Sequence, residues 1–163
     1  MREQRDQMHA SRANARGASV AALLWPARLH HVAMGSPDPA ALARFYAENL
    51  DFSPTRASDD FLLRGAERRL VIMPGNARQL RYAGFDLGAS ARVENYRAAV
   101  RRDGVETWDA ASPFFVPGAF SVADPDGNRM VFGAAAPDGA VPPGQPGRMQ
   151  HVVVASTDAA RIA

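Results

Sequence analysis

Short apolar runs alternate along the chain with polar breaks marked by glycine or proline, and the order of those runs repeats. Leu29 to Met34 is an apolar run closed by Gly35 and Pro37, the pattern of a buried strand. Asp38 then offers an N-cap, and Pro39 takes the first helical position, where its missing N–H costs nothing. Leu42, Phe45, Tyr46 and Leu50 follow at helical spacing and predict one apolar face. Phe61-Leu62-Leu63 and Leu70-Val71-Ile72-Met73 read as two strands joined through a turn at Gly65.

The order restarts after Pro74-Gly75. Leu80 to Leu87 is a strand, with Tyr82, Phe85 and Leu87 apolar. Ser90 is the expected cap of a second helix, with Val93, Tyr96 and Val100 on one face and Gly104 as its stop. One more strand is expected within 105–116, near Trp108. Phe120-Ser121-Val122 and Met130-Val131-Phe132 are strands joined by Asp124-Pro125-Asp126-Gly127-Asn128, the strongest turn signal in the chain. Segments 29–73 and 80–132 thus share one order, which predicts an α+β fold of two β-α-β-β-β units packed side by side.

A longer period lies over this one. Residues 148–158 repeat 28–38: Arg28 matches Arg148, His31 matches His151, Val32 matches Val152, Ser36 matches Ser156 and Asp38 matches Asp158, always 120 positions apart. Repeats at fixed period mark recurring structural units. Pro137, Pro142, Pro143 and Pro146, with Gly139, Gly144 and Gly147, give the segment between the composition of an extended linker. Four parts are therefore expected: a disordered tail over 1–27, a module over 28–133, a linker over 134–147, and the first strand of a truncated second module over 148–163. Within that last part, Met149 to Ala155 has no strand of its own module to pair with and is expected to be loosely held.

Composition removes several classes. There is no cysteine, hence no disulfide, thiolate ligand or thiol nucleophile. All 19 basic residues are arginine, as high-GC coding favours, and they are scattered. With a net charge of +2 this points away from a nucleic-acid surface. No apolar run approaches a membrane span, and Val20 to Trp25 is too short for a secretory signal. The polar residues 1–19 are as well explained by a misassigned start codon as by a real tail. No Ser-His-Asp order, phosphate-cradling glycine loop or zinc spacing is present.

His31-Val32 on a strand, Asp38-Pro39 opening a helix with Phe45-Tyr46, and the late Asp124–Asn128 hairpin together resemble the vicinal oxygen chelate superfamily. That group includes glyoxalase I, bleomycin-resistance proteins and type I extradiol dioxygenases. The resemblance covers about 28–133 and restarts at 148; two such modules in one chain look most like an extradiol ring-cleavage dioxygenase. It implies that the paired units form one open, cup-shaped mixed sheet with helices outside. It also implies a metal held by two His and one Glu from facing strands, a ligand set suited to Fe(II) and oxygen chemistry, with Mn(II) as the other candidate.

Carried over position by position, the first ligand place holds His31 in the first module and His151 in the second. The second place falls near Tyr82, a poor ligand. The third falls on Val131, where a Glu would stand. One imidazole cannot hold Fe(II) against water, so the resemblance implies a metal-free first module. His151 is then the one metal ligand expected in this chain, with no catalytic residue and no bound cofactor. His31 is expected to be hydrogen-bonded core, and His30 to point to the opposite face. Tyr46, Tyr82 and Phe85 are expected as core or cup lining, and Trp108, Phe114 and Phe115 as packing, with the lining of a hydrophobic mouth as the other reading. Asp124 and Asp126 read as turn formers.

The leading functional expectation is the N-terminal module of a cytoplasmic, bacterial Fe(II)-dependent extradiol dioxygenase of aromatic catabolism. Its substrates would be a catechol-like ring and O₂; the chain alone would be inactive, and no nucleic acid or membrane partner is expected. The alternative is a metal-free homo-oligomer, a dimer that binds drug-like or aromatic compounds as bleomycin-resistance proteins do. A glyoxalase-type isomerase is weaker, because it needs the same missing ligands.

Overall fold

A computed structural model describes residues 23–24, 27–139 and 147–153. The first unit comprises β1 (Arg28–Ser36), α1 (Pro39–Leu50), β2 (Ser53–Ala57), β3 (Asp60–Arg64) and β4 (Arg69–Pro74). The second comprises β5 (Gln79–Asp86), α2 (Ser90–Arg102), β6 (Trp108–Asp109), β7 (Phe120–Ala123) and β8 (Arg129–Gly133). All eight strands form one sheet in the order β2-β3-β4-β1-β5-β8-β7-β6. Within each unit the first strand lies parallel to the last, β1 beside β4 and β5 beside β8. The two units meet where β1 pairs antiparallel with β5. This is the expected α+β fold: a mixed sheet made of two like halves.

Because side chains alternate across a sheet, its two faces carry different sets. Ala33, Leu62, Val71, Tyr82 and Val131 share the inner face and pack with Phe114, Phe115 and Ala119. On the outer face α1 covers Val32, Leu63, Leu70 and Ile72. Helix α2 covers Phe120, Val122 and Phe132 with its own Val93, Tyr96 and Val100. Both faces of the central strands are buried, so they read as continuous apolar runs rather than alternations.

The first helix begins as its sequence predicts, with the Asp38 carboxylate accepting from the Ala41 N–H at 2.9 Å. Its face is rotated from the expected one: Ala43 is its fully buried residue, Leu42 and Tyr46 flank it, and Phe45 and Leu50 are exposed. A small residue lets the helix backbone approach the sheet. The second helix starts one residue earlier than the Ser90 cap implies. Ala89 is the N-cap and Ser90 lies inside the helix without a capping hydrogen bond. Gly104, at φ +85°, ends it as expected, and Val105 N–H bonds back to Val100 O at 3.2 Å.

Strand β2 has no counterpart among the expected strands. Ser-Pro-Thr-Arg-Ala is a polar edge segment exposed on both faces, and a proline there suits an edge. The strand near Trp108 is present but only two residues long. The Asp124–Asn128 turn forms as read: the Asp124 carboxylate accepts from the Asp126 and Asn128 N–H groups at 2.9 and 2.8 Å and from Asn128 Nδ2 at 2.8 Å. Its partial burial alone raises its pKa, but these bonds outweigh that and hold the group below the ordinary carboxylate range.

The expected disordered tail lies largely outside the described residues. Its described part is ordered: Leu23 and Leu24 are helical, and Leu23 and Ala27 pack on the cluster under α2. Residues 154–163 also lie outside the described set. Over 149–153 the expected strand is not formed; Arg148 makes one parallel backbone bridge to Glu67, and Met149 and Val152 rest against the cluster under α1.

Candidate functional site

The inner face of the central strands positions the three places at which the resemblance puts ligands. His31 pairs with Gly84 across β1 and β5, and Gly84 pairs with Val131 across β5 and β8. Tyr82 lies two residues from Gly84 and so shares its face. The second ligand place near Tyr82 thus falls on a phenol and a glycine, and the third on Val131. Neither supplies a metal donor of the kind the resemblance requires.

Two glycines are there because side chains from elsewhere occupy their Cβ space. A Cβ at Gly84 would sit 2.6 Å from both His31 ring nitrogens. A Cβ at Gly133 would sit 2.5 Å from Phe115 Cγ. The imidazole therefore lies flat over β5, and Phe115 lies over the end of β8. Phe114 completes the filling, with ring centroids 5.2 Å (Phe114) and 4.8 Å (Phe115) from that of His31. The segment carrying them is pinned by backbone bonds, Val116 N–H to Ala134 O at 3.0 Å and Ala136 N–H to Phe114 O at 2.9 Å. The Arg64 guanidinium stacks on Phe114 at 4.9 Å. The cup is occupied by the protein's own rings.

His30 is not on the opposite face. The register between β1 and β5 slips between Leu29 and His31, so one residue of β1 is extra. Such a bulge breaks the alternation, and His30 Nδ1 comes to 3.0 Å from His31 Nδ1. On its other side His31 Nε2 meets the Ser112 hydroxyl at 2.8 Å. Ser112 Oγ also accepts from the Phe114 N–H at 3.3 Å and from the Tyr82 hydroxyl at 3.4 Å. A hydroxyl has one hydrogen and two lone pairs. With both lone pairs taken, Ser112 must donate to His31 Nε2, which places the His31 proton on Nδ1, donating to His30 Nδ1. The chain Tyr82–Ser112–His31–His30 is closed with both imidazoles neutral.

Electrostatics favour that state. Burial pushes His31 down to about 3, and neighbouring His30 and Arg69 push it the same way. Burial and Arg69 bring His30 down to about 4, against the opposing pull of Asp86 and Asp138. Burial, only partly offset by the bond to Ser112, pushes the Tyr82 phenol up. The Ser112–His31 pair has the spacing of a nucleophile and its base, but an imidazole held near 3 cannot accept the serine proton at neutral pH. No carboxylate orients its far nitrogen. The pair is a structural tie.

A metal does not fit this face. Both ring nitrogens of His31 are committed, and Gly84 and Val131 offer no donor. Among the described residues no group of three His, Asp or Glu could hold a metal. His151 is exposed and lies outside any strand or helix. Trp108 is exposed, Tyr46 and Phe85 pack on the outer face, and Tyr82, Phe114 and Phe115 are on the inner one. The residues that reading the sequence missed are Ser112, Gly84 and Gly133. An isolated glycine inside a strand signals a close approach, so the two glycines carried a signal; Ser112 carried none.

Comparison with known proteins agrees with this geometry. The sequence model described as the Glyoxalase/Bleomycin resistance protein/Dioxygenase superfamily matches residues 28–132. No curated protein matches the chain. Among solved structures, a catechol 2,3-dioxygenase superposes with a TM-score of 0.64 at 13% identity, covering 83% of this chain and 56% of that one. Homoprotocatechuate 2,3-dioxygenase from Brevibacterium fuscum gives 0.54 at 19% identity, covering 68% of this chain and 32% of that one. The enzyme from Arthrobacter globiformis gives 0.53 at 17% identity, covering 66% and 35%. These are likenesses of fold, and the chain spans about half the length of the first of these proteins and about a third of the other two. No helix among the described residues is long and apolar enough to cross a membrane.

Proposed function

The chain belongs to the glyoxalase/bleomycin resistance protein/dioxygenase superfamily, and from that premise we propose that it is the metal-free N-terminal module of an Fe(II)-dependent extradiol ring-cleavage dioxygenase. One observation carries the reading. The cup that would hold metal and substrate contains His31 tied at both nitrogens, no second or third ligand, and the rings of Phe114 and Phe115. This module's own residues do no chemistry on the substrate; they keep a filled core on which a second module can rest. The catechol-like ring and O₂ belong to that second module, which opens at Arg148 with His151 as its first ligand, and no step of ring cleavage runs through residues 28–133.

Two further points support it. The structures of like fold include a catechol 2,3-dioxygenase and two homoprotocatechuate 2,3-dioxygenases, and each of these three is longer than the part that matches this chain. The alternative, a drug- or aromatic-binding dimer of the bleomycin-resistance type, needs open space in the cup, and Phe114 and Phe115 fill it. The test is the reading frame beyond codon 163. It should encode a His about 50 and a Glu about 100 residues after His151, the spacing of Tyr82 and Val131 from His31. The continuous product should bind one Fe(II) and consume O₂ with catechol, whereas residues 1–163 alone should do neither. Absence of both ligands, or stoichiometric Fe(II) on His31, defeats the proposal.

A further inference from the structure

The connection between β6 and β7, residues 111–118, is a flap whose ends lie close together: the Ala110 N–H bonds to Ala119 O at 3.0 Å. It carries Ser112, Phe114 and Phe115, the groups that fill the cup. The chain leaving β8 runs beside it as a strap. Phe115 and Ala135 form an antiparallel bridge, with the Val116 N–H bonded to Ala134 O and the Ala136 N–H to Phe114 O. Flap and strap are thus one backbone-paired unit.

The strap is fixed to the body at two points. Asp86 Oδ1 accepts the Ala135 N–H at 3.0 Å. Further along, Arg69 on β4 holds the Asp138 carboxylate with two prongs, Nε standing 3.1 Å from Oδ1. Beyond Asp138 the sequence runs into the Pro/Gly-rich stretch that leads to Arg148.

The closed flap leaves two polar groups unmet. Ser121 is fully buried, and it shares the inner face with its register partner Val131. Its hydroxyl has no hydrogen-bond partner among the described residues. Neither has Arg64 Nε, whose guanidinium stacks on Phe114 of the flap. A buried donor without a partner penalises the state that buries it. Opening the flap would let water reach both groups. The Arg69–Asp138 pair works against that opening, and, being partly exposed, it is a tie weak enough to break.

We infer that residues 111–118 are a lid on the cup, latched through the strap by Arg69 and Asp138. The course of the linker then sets whether the cup is filled. Chain drawn away from Arg69 takes the strap with it, and the strap takes Phe114 and Phe115. The inference goes beyond the proposed function and rests on neither iron nor a second module.

Amide exchange in the 163-residue chain reads the latch. Arg69→Asp and Asp138→Arg each set like charges face to face, and each should speed exchange at Val116 and Ala136 at least about tenfold. Exchange in β4 should stay at the parent rate. Combining the two reversals restores an opposite pair and should slow the flap again. Ser121→Ala touches no tie of the strap, so it keeps the test valid even where a reversal prevents folding. It removes one penalty on the closed state and should slow exchange at Val116 and Ala136 at least about fivefold. Flap exchange that ignores the reversals, or that rises equally in β4, overturns the inference. So does a Ser121→Ala chain that exchanges no more slowly than the parent. None of these results bears on what is encoded beyond codon 163, so failure here and failure of the proposed function are told apart.

Discussion

The Ser112 hydroxyl stands 2.8 Å from Nε2 of His31, although 81 residues separate them. This contact ties the loop before β7 to the centre of the sheet and brings Phe114 and Phe115 into the cup. In a metal-binding module of the resembled kind the same imidazole would face a metal. Here it accepts a hydrogen bond from the serine hydroxyl, and the space beyond it is filled with hydrocarbon.

The first prediction follows from that tie. Ser112→Ala removes the donor to a fully buried nitrogen and leaves Nε2 unsatisfied. An orphaned buried acceptor costs about 1–3 kcal/mol. Melting should fall by several degrees, and hydrogen exchange at Val116 and Ala136, whose amides pin the loop, should accelerate more than that of β4. Unchanged stability and exchange would mean that the loop is held by its rings alone.

Gly84 supplies a second, sharper test. A Cβ there collides with the His31 ring from both nitrogens, and a core side chain cannot absorb such a shift without leaving its rotamer. Gly84→Ala alone should destabilise by about 1–3 kcal/mol or more. In the background of His31→Ala the same change should cost far less, because the collision partner is gone. A double-mutant cycle by urea denaturation measures the coupling; additive effects would refute the idea that this glycine exists for the imidazole.

Much of the fold was legible in the sequence because strong local signals and tertiary needs agree there. Asp38-Pro39 starts α1, Gly104 stops α2, and the Asp124–Asn128 turn closes its own hydrogen bonds, all from local chemistry. The two-unit order was visible because each unit buries both faces of its central strands. What was not legible depended on partners distant in sequence. Strand β2 is a polar edge with no apolar alternation to read. His30 was assigned the wrong face because a single extra residue in β1 is set by pairing with β5. Phe45 was placed on the packed face of α1 because its spacing fits, yet the helix turns about Ala43 to come close to the sheet. Ser112 lay in a stretch with no period, and only the folded chain shows that it meets His31.

Acid should weaken the fold in a defined window. Both cup imidazoles are held below their ordinary value, His31 to about 3 and His30 to about 4, first by burial. The unfolded chain therefore takes up protons at these residues as pH falls below about 6.5, while the native chain does not. Stability is complete above that pH and declines as it falls toward the native values; for fully buried His31 the loss reaches about 4 kcal/mol by the bottom of the range. Measuring unfolding free energy between about pH 6.5 and about pH 4.5 keeps most carboxylates out of the comparison. His31→Gln, which can still accept from Ser112, should be less stable at neutral pH yet show a shallower decline over that interval. An identical slope in both proteins would assign the acid sensitivity to other groups.

The filled cup makes a last prediction that separates a scaffold from a binding protein. Phe115 packs on His31 and against Gly133, so Phe115→Ala should leave an apolar void bounded by Tyr82, Val131 and Phe114. Truncating a buried phenylalanine costs about 3–5 kcal/mol, because the lost transfer energy is joined by that of the cavity. A dry void of that kind can admit a small aromatic molecule. Benzene or phenol should raise the melting temperature of the variant in a saturable way and leave that of the parent chain unchanged, since binding to the native state stabilises by mass action. A parent chain that already responds to such ligands, with chemical-shift changes at Val131 and Ala33, would show that Phe114 and Phe115 yield to guests, and the drug- or aromatic-binding reading would then displace the scaffold one.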